Sequence, residues 1–245
     1  MNYLSILSIF KNETMNMKIW LDHYLSQGVE HFYIIDNGSD DDPMSVLKDY
    51  IDKGYVTYYL RPERYQQCKH YREIFKIEKI QEKTKWLIVC DFDEFFYGTK
   101  NKLSTVLNSL EKYNVIYSNW LMFGSDGLIT HPDDIRTAIV HREINFNIHT
   151  KYIFKTSSLK NINQIHVHNI SNEKNIYYEN EKIHLNHYPI QSLEFFQKVK
   201  MTRGDVANIS VDNIRDMNYF NKYDINTVYC DNILKDIILH KPDNY

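Results

Sequence analysis

The chain has 245 residues and a formal net charge of -3, with 25% charged and 43% hydrophobic residues but only seven glycines and five prolines. That balance belongs to a folded globular chain long enough to bury a sizeable core, and it excludes a disordered or low-complexity one. With no dense Lys/Arg block the sequence also lacks the concentrated positive field that a nucleic acid or an acidic membrane requires, so neither is expected as a partner.

The opening run Tyr3-Leu4-Ser5-Ile6-Leu7-Ser8-Ile9-Phe10 has no basic leader and is too short to span a bilayer, so it reads as a first strand. Apolar residues at Ile19, Trp20, Tyr24 and Leu25 then have helical spacing, with Gly28 as the stop. Residues 31–35 form a second, buried strand ending at the polar cluster 36–42, and Pro43 and Gly54 bracket a second helix. Residues 55–60 read as a third strand, 65–82 as a longer helix, and 86–90 as a fourth strand, almost wholly apolar and therefore central. This alternation implies an α/β fold with a Rossmann-like, mainly parallel sheet flanked by helices, whose ligands bind at the carboxyl ends of the strands.

The second half is less regular. A helix is expected at 103–113, strand-like runs at 115–123, 138–146, 152–154, 165–167 and 183–185, and a helix at 192–203. Together these make an appended mixed β region, and apolar residues in 213–238 suit one or two C-terminal helices. Cys68, Cys90 and Cys230 are odd in number and form no CxxC pair. They favour a reducing compartment, and a cytoplasmic chain without an integral membrane segment is expected.

The strongest local signal is Asp91-Phe92-Asp93-Glu94-Phe95 directly after the fourth strand. Carboxylates at i and i+2 on a strand end can turn toward one hard cation, and Mn²⁺ or Mg²⁺ suits such oxygens while also taking phosphate oxygens from a substrate. Three adjacent acids repel one another, a cost that a bound cation relieves. The plainer alternative is a solvated acidic turn.

Several blocks in order carry a resemblance: Lys11-Asn12-Glu13, Trp20-Leu21 with His23-Tyr24, Asp36-Asn37, Trp86 to Phe95, Trp120 to Ser125, Lys151 to Phe154, His166-Val167-His168, and Leu185-Asn186-His187-Tyr188 through Ser192 to Arg203-Gly204. Over about residues 4–204 the chain resembles GT-A fold glycosyltransferases, in particular the family 92 and family 2-like group that includes plant β-galactan synthases. The resemblance implies an inverting hexosyltransferase that uses a UDP-sugar donor and a glycan or glycoconjugate acceptor. It would be a single domain, with a nucleotide-sugar-binding half at 1–100, an acceptor-side half at 101–204 and a helical tail at 205–245.

The resemblance also implies roles. Asp93, with or without Asp91, would hold the cation, with His187 as a third ligand from late in the chain and His166 and His168, alternating on a strand, in reserve. Asn12 and Glu13 would lie by the nucleoside, and Asp36, followed by Asn37, would accept a hydrogen bond from the uracil. The alternatives for these are helix capping and turn chemistry. No glycine-rich loop cradles phosphate, so a basic side chain such as Arg61, Arg64, Arg72, Lys198 or Arg203 would assist the diphosphate. An inverting transfer needs a carboxylate base across the sugar, for which Asp126 in the turn 120–127 is the first candidate and Glu94 and Glu143 the next. His23, His31, His70 and His149 read as structural.

Two other classes use parts of this pattern. A nicotinamide oxidoreductase would need GxGxxG after the first strand, where the chain has Ile9-Phe10-Lys11-Asn12-Glu13. A metal-dependent phosphatase or nuclease could use Asp91 to Glu94 but needs no uridine pocket, and a non-catalytic module would bind nucleotide-sugar without turnover.

Overall fold

The computed structural model describes residues 1–203 and 215–239. The amino-terminal half alternates as expected: β1 (Asn2–Phe10), α1 (Thr14–Ser26), β2 (His31–Asp36), α2 (Met44–Asp52), β3 (Val56–Leu60), α3 (Gln67–Ile77), α4 (Ile80–Lys83) and β4 (Thr84–Val89). There follow β5 (Glu94–Gly98), α5 (Leu103–Asn108), β6 (Val115–Met122), α6 (Ile135–Ala138), β7 (His141–Arg142), β8 (Thr150–Lys155), β9 (Ile176–Tyr178) and β10 (Ile183–His187). Helix α7 (Leu193–Phe195) runs on as a π-turn, Phe196–Lys200, and α8 (Met217–Tyr223), β11 (Val228–Tyr229) and α9 (Asn232–Leu239) are the last elements among the described residues. No described helix is long and apolar enough to cross a membrane.

The main sheet has the order β3-β2-β1-β4-β8-β6-β10-β5, with β9 also on β6. Its first four strands are parallel, as are β6 with β10 and β9, while β8 runs against β4 and β6, and β5 against β10. This is the α/β class expected, with the mixed region continuing the same sheet. The halves 1–100 and 101–204 therefore share one hydrogen-bonded surface, since β4 pairs with β8 and β5 with β10. At one edge of that surface lie the carboxyl ends of β1, β2, β4, β6 and β10 together with the first residues of β5 and β8.

Helix α1 fixes the centre of that edge. Trp20 is fully buried, stacks on Phe92 at 4.2 Å, and donates its indole N–H to the carbonyls of Asp91 and Glu94, both at 3.1 Å. Tyr24 donates its hydroxyl to the Glu94 carbonyl and accepts the Phe96 amide, and His23 bonds the Phe96 carbonyl. The aromatic positions of α1 thus pin the backbone of the acidic turn. Trp20→Phe keeps most of the apolar volume but removes a donor that two carbonyls share, each of which keeps one other partner, a loss of about 0.5–1.5 kcal/mol. Urea unfolding should show it, and a change under about 0.5 kcal/mol, the size of a surface substitution, would remove Trp20 from this role.

Several sequence expectations change. The helix at 65–82 breaks into α3 and α4 because Lys79 adopts φ 52°. The strand at 138–146 shrinks to β7, since among the described residues only Phe123, bridged to Arg142, and the short β11 offer ladder partners. Residues 165–167 are not a strand: Ile165 makes one bridge to Ile170, so His166 and His168 sit in a turn and not on a strand face. The helix at 103–113 ends at Asn108, and that at 192–203 becomes α7 plus the π-turn. Strands β5, β9 and β11 have no counterpart among the runs expected from sequence, and Gly204 lies outside the described residues. Gly28 has φ +87° and a Cβ there would stand 2.2 Å from Ser104 Oγ, which explains glycine at the end of α1.

Candidate active site

The acidic turn is matched on each side by a buried lysine. Lys151, at the start of β8 and fully buried, bonds Asp91 Oδ2 at 2.7 Å and lies 3.5 Å from Glu94 Oε2. Burial alone would lower its pKa, but the carboxylates of Asp91 and Glu94 reverse that and raise it. Glu94 Oε2 also accepts the Asp91 amide at 2.8 Å, while Glu94 Oε1 is buried without a partner. Burial pushes the Glu94 carboxyl well above the ordinary range, and the charges of Asp91 and Asp93 push the same way against Lys151.

A carboxyl whose folded pKa is raised favours the fold below its unfolded value near 4.5 and loses that contribution as pH rises through the folded value. Glutamine has no such dependence. Glu94→Gln should therefore gain on the parent in melting temperature between pH 4.5 and 8, and a difference that stays constant with pH would contradict the upward shift of the Glu94 carboxyl.

On the other side Lys200, last residue of the π-turn and 1% exposed, bonds Asp93 Oδ2 at 2.8 Å and Glu13 Oε1 at 3.1 Å. Arg203 bonds the same Glu13 oxygen and the Lys11 carbonyl. His187, at the end of β10, brings Nε2 to 3.7 Å from Asp93 Oδ2. Burial alone would raise the Asp93 carboxyl, but the Lys200 ammonium and His187 hold it well below the usual range. Burial lowers the His187 pKa against the pull of Asp93. Neither lysine was singled out from sequence as a site residue. The available signal was a cation inside an apolar run, Lys151-Tyr152-Ile153-Phe154 or Phe195-Phe196-Gln197-Lys198-Val199-Lys200, which only a buried acid makes tolerable.

The expected donor-side residues take up local bonds. Asp36 Oδ1 accepts the Ser39 amide at 2.7 Å and Oδ2 the Tyr58 hydroxyl at 2.8 Å. Asn37 donates to the carbonyls of Arg61 and Glu63. Asn12, at φ 55°, accepts the Asp40 amide and gives its own to Ser39 Oγ, tying the β1 and β2 ends together. These three shape one rim of the edge, and Glu13 joins it to Lys200. Arg72 does not reach it: its guanidinium is bonded to the carbonyls of Asn163 and Ile165. Lys198 pairs with Glu194 at the surface, and Arg61 bonds its neighbour's carbonyl.

The other rim comes from β6 and β10. Met122 sits opposite His187 in the ladder and its sulfur lies 3.3 Å from His187 Nδ1. Trp120, two residues earlier and so on the same face, packs on His187 at 4.2 Å, with His149 stacked at 5.1 Å and His168 edge-on at 5.5 Å. Burial, chiefly, lowers the His168 pKa to about 4. The Glu143 amide donates to the Met122 carbonyl at 2.8 Å, which places Glu143 across from Met122 and on the His187 face. Among the described residues no hydrogen bond or ion pair engages the Glu143 carboxylate. Asp126 differs: one oxygen bonds His141 Nδ1 at 2.8 Å and the other accepts the amides of Val140 and His141. Asn226 requires glycine at 124, since its Oδ1 would lie 2.1 Å from a Cβ there.

The expected cation ligands converge only in part. Asp93 and His187 meet, but Asp91 faces Lys151, and among the described residues no group of three His, Cys, Asp or Glu side chains stands where it could hold a metal ion. A hard divalent ion needs about six oxygen ligands, and the Asp93 oxygen that faces His187 already carries an ammonium. As arranged, the donor set does not fit Mn²⁺ or Mg²⁺.

The profile of glycosyltransferase family 92 matches residues 4–229. No curated protein sequence matches the chain significantly. Solved structures with partial similarity include S. aureus TarS, at 13% identity and TM-score 0.47 over 77% of this chain and 37% of that one. They also include TarS 1-349 in complex with UDP, at 15% identity and TM-score 0.48 over 77% of this chain and 60% of that one. A third is TarS 1-349, at 14% identity and TM-score 0.49 over 99% of this chain and 73% of that one. The chain thus spans 37% and 60% of the lengths of the first two.

Proposed function

Because this chain belongs to glycosyltransferase family 92, we propose that its carboxyl-edge site moves a hexosyl group from a UDP-sugar to a hydroxyl of a glycan or glycoconjugate, with inversion. The observation that carries this reading is the position of Asp93. It stands between the cations Lys200 and Arg203 on the β1 side and the His187, Met122 and Glu143 face on the β10 side.

Diphosphate is the group that the buried Lys200 and the half-buried Arg203 on the donor rim suit, since negative charge grows on it as the sugar leaves. The uridine would rest against the rim made by Asn12, Asp36 and Asn37. The acceptor hydroxyl would approach from the Trp120 side, where an indole flanked by imidazoles offers a flat surface for a sugar ring, and Glu143 would take its proton. The bond from the anomeric carbon to the diphosphate oxygen breaks as the bond to the acceptor oxygen forms, and the electron pair leaves with UDP. Dependence on Mn²⁺ or Mg²⁺ would require Lys200 to leave Asp93 first.

Incubation with a panel of UDP-sugars and oligosaccharide acceptors tests the proposal, with UDP release and the anomeric configuration of the product as readouts. Acceptor-independent binding of UDP with no transfer to any sugar would favour a binding module instead. Asp36 belongs to a wall that the donor touches equally in ground and transition states, so Asp36→Ala should raise KM for the donor and leave kcat unchanged. A large fall in kcat at saturating donor would place Asp36 in the chemistry.

A further inference from the structure

The acceptor rim has an apolar border that, resting on the acceptor reading above, says what kind of acceptor it serves. From Glu143 to His149 the chain is laid along the end of β6: the Glu143 amide bonds the Met122 carbonyl at 2.8 Å, the Asn147 amide the Trp120 carbonyl at 2.9 Å, and the Trp120 amide the His149 carbonyl at 3.1 Å. The steps from 143 to 147 thus span only those from 122 to 120 on β6, so the chain bows outward between its anchors. Asn119 Nδ2 donates to the Asn147 carbonyl at 2.8 Å, and the Arg142 guanidinium donates to the carbonyls of Glu143 and Ile144 at 2.6 Å and 3.0 Å. The backbone of the bow is therefore anchored, yet Ile144 is 62%, Phe146 43% and Ile148 88% exposed.

We propose that this bow receives a hydrocarbon chain carried by the acceptor, which makes the acceptor an amphiphilic glycoside. A single exposed isoleucine is ordinary, but large apolar side chains at 144, 146 and 148 on one anchored segment form a patch, and such patches mark places where something docks. Charge narrows the occupant. Residues 144–149 contain no Lys, Arg, Asp or Glu, so the segment has no attraction for an anionic bilayer surface or a phosphate, and burial of apolar area is what a ligand gains there. Position narrows it further. Glu143, which would take the acceptor proton, opens the segment, and His149, stacked on Trp120, closes it. A sugar held between those two residues offers its hydroxyl to Glu143 while its aglycone leaves across 144–148.

The experiment is calorimetric titration of the whole chain with octyl β-glucopyranoside, below its micellar concentration, and with methyl β-glucopyranoside. The parent should bind the octyl glycoside ~10-fold or more tightly than the methyl one, which the burial of about two methylene groups suffices to supply. The combined variant Ile144→Ser, Phe146→Ser and Ile148→Ser should bind the two alike, with its circular dichroism unchanged. Should that variant fail to fold, Ile148→Ser, at the most exposed of the three positions, serves in its place and should lose part of the preference. Equal affinity of the parent for both glycosides overturns the proposal, as does an octyl preference that survives the substitutions. Sedimentation of the parent, but not of the variant, with zwitterionic vesicles free of glycoside would assign the patch to a bilayer instead, and a parent dimer that the substitutions dissociate would assign it to a second copy of the chain. No donor or turnover enters these measurements, so the patch can fail while transfer is observed, and transfer can be absent while the octyl preference holds.

Discussion

Lys151→Met should cost about 3–5 kcal/mol of folding stability, the usual loss when one partner of a buried ion pair is removed. Against a total of roughly 5–15 kcal/mol, that brings the chain close to its unfolding threshold. Methionine matches the length of lysine and suits the apolar surroundings of β8, so the loss would come from the acids left behind and not from a cavity. Asp91, with a side chain 34% exposed, can recover some hydration, but Glu94 is wholly buried and cannot. Its remaining recourse is a proton, and its pKa, already raised by burial first and by Asp91 and Asp93 next, would rise further. The loss should therefore be smaller at pH 5 than at pH 8, and Lys151→Met with Glu94→Gln should recover part of it. Urea unfolding at the two pH values is the measurement. A pH-independent loss below about 1 kcal/mol, the worth of an exposed pair, would show that Lys151 is dispensable to the acidic turn.

The contrast between the acids and their lysines shows what the sequence made legible. Asp91 and Asp93 could be placed at a strand end because Trp86 to Cys90 is a continuous apolar run and the carboxylates follow it at once. The aromatic positions of α1 could be read from helical spacing alone. Lys151 and Lys200 could not, since their partners lie 60 and 107 residues away and no local pattern encodes such a pairing. His187 could be placed at a strand end before a helix, and its approach to 3.7 Å from Asp93 was an implication of the family resemblance and not of a local pattern. Arg72 was misleading because its charge sits near the right strand end in sequence, yet the carbonyls at 163 and 165 arrive from the second half to occupy it. The tail was unreadable for a similar reason. Asp224 caps Ser125, Asn226 bonds the Asp126 amide, and Val228 pairs with Arg142, all contacts of about a hundred residues' separation that build the turn after β6. The family profile runs to residue 229 and so takes in this segment, beyond the 204 at which the local motifs end.

That tail also bears on which acid takes the acceptor proton. Asp126 has the turn position expected of a base, but its oxygens are held by His141 Nδ1 and by two amides, and its own amide is held by Asn226, so it clamps β7 against the turn. Glu143, at the end of that clamped segment, shares the Met122 and His187 face, and among the described residues its carboxylate has no hydrogen-bond or ion-pair partner. Glu143→Gln should therefore bind UDP and UDP-sugar as the parent does yet lose ~10²–10⁴-fold in kcat, the usual contribution of a general base. Asp126→Asn should behave differently, lowering the melting temperature through the loosened β7 while keeping kcat within about an order of magnitude, since its role is positional. The discriminating measurement is kcat at saturating donor and acceptor for both variants across pH 5–9. A Glu143→Gln enzyme that turns over normally while Asp126→Asn falls a hundredfold or more would return the base to Asp126 and leave Glu143 as a bystander on the acceptor rim.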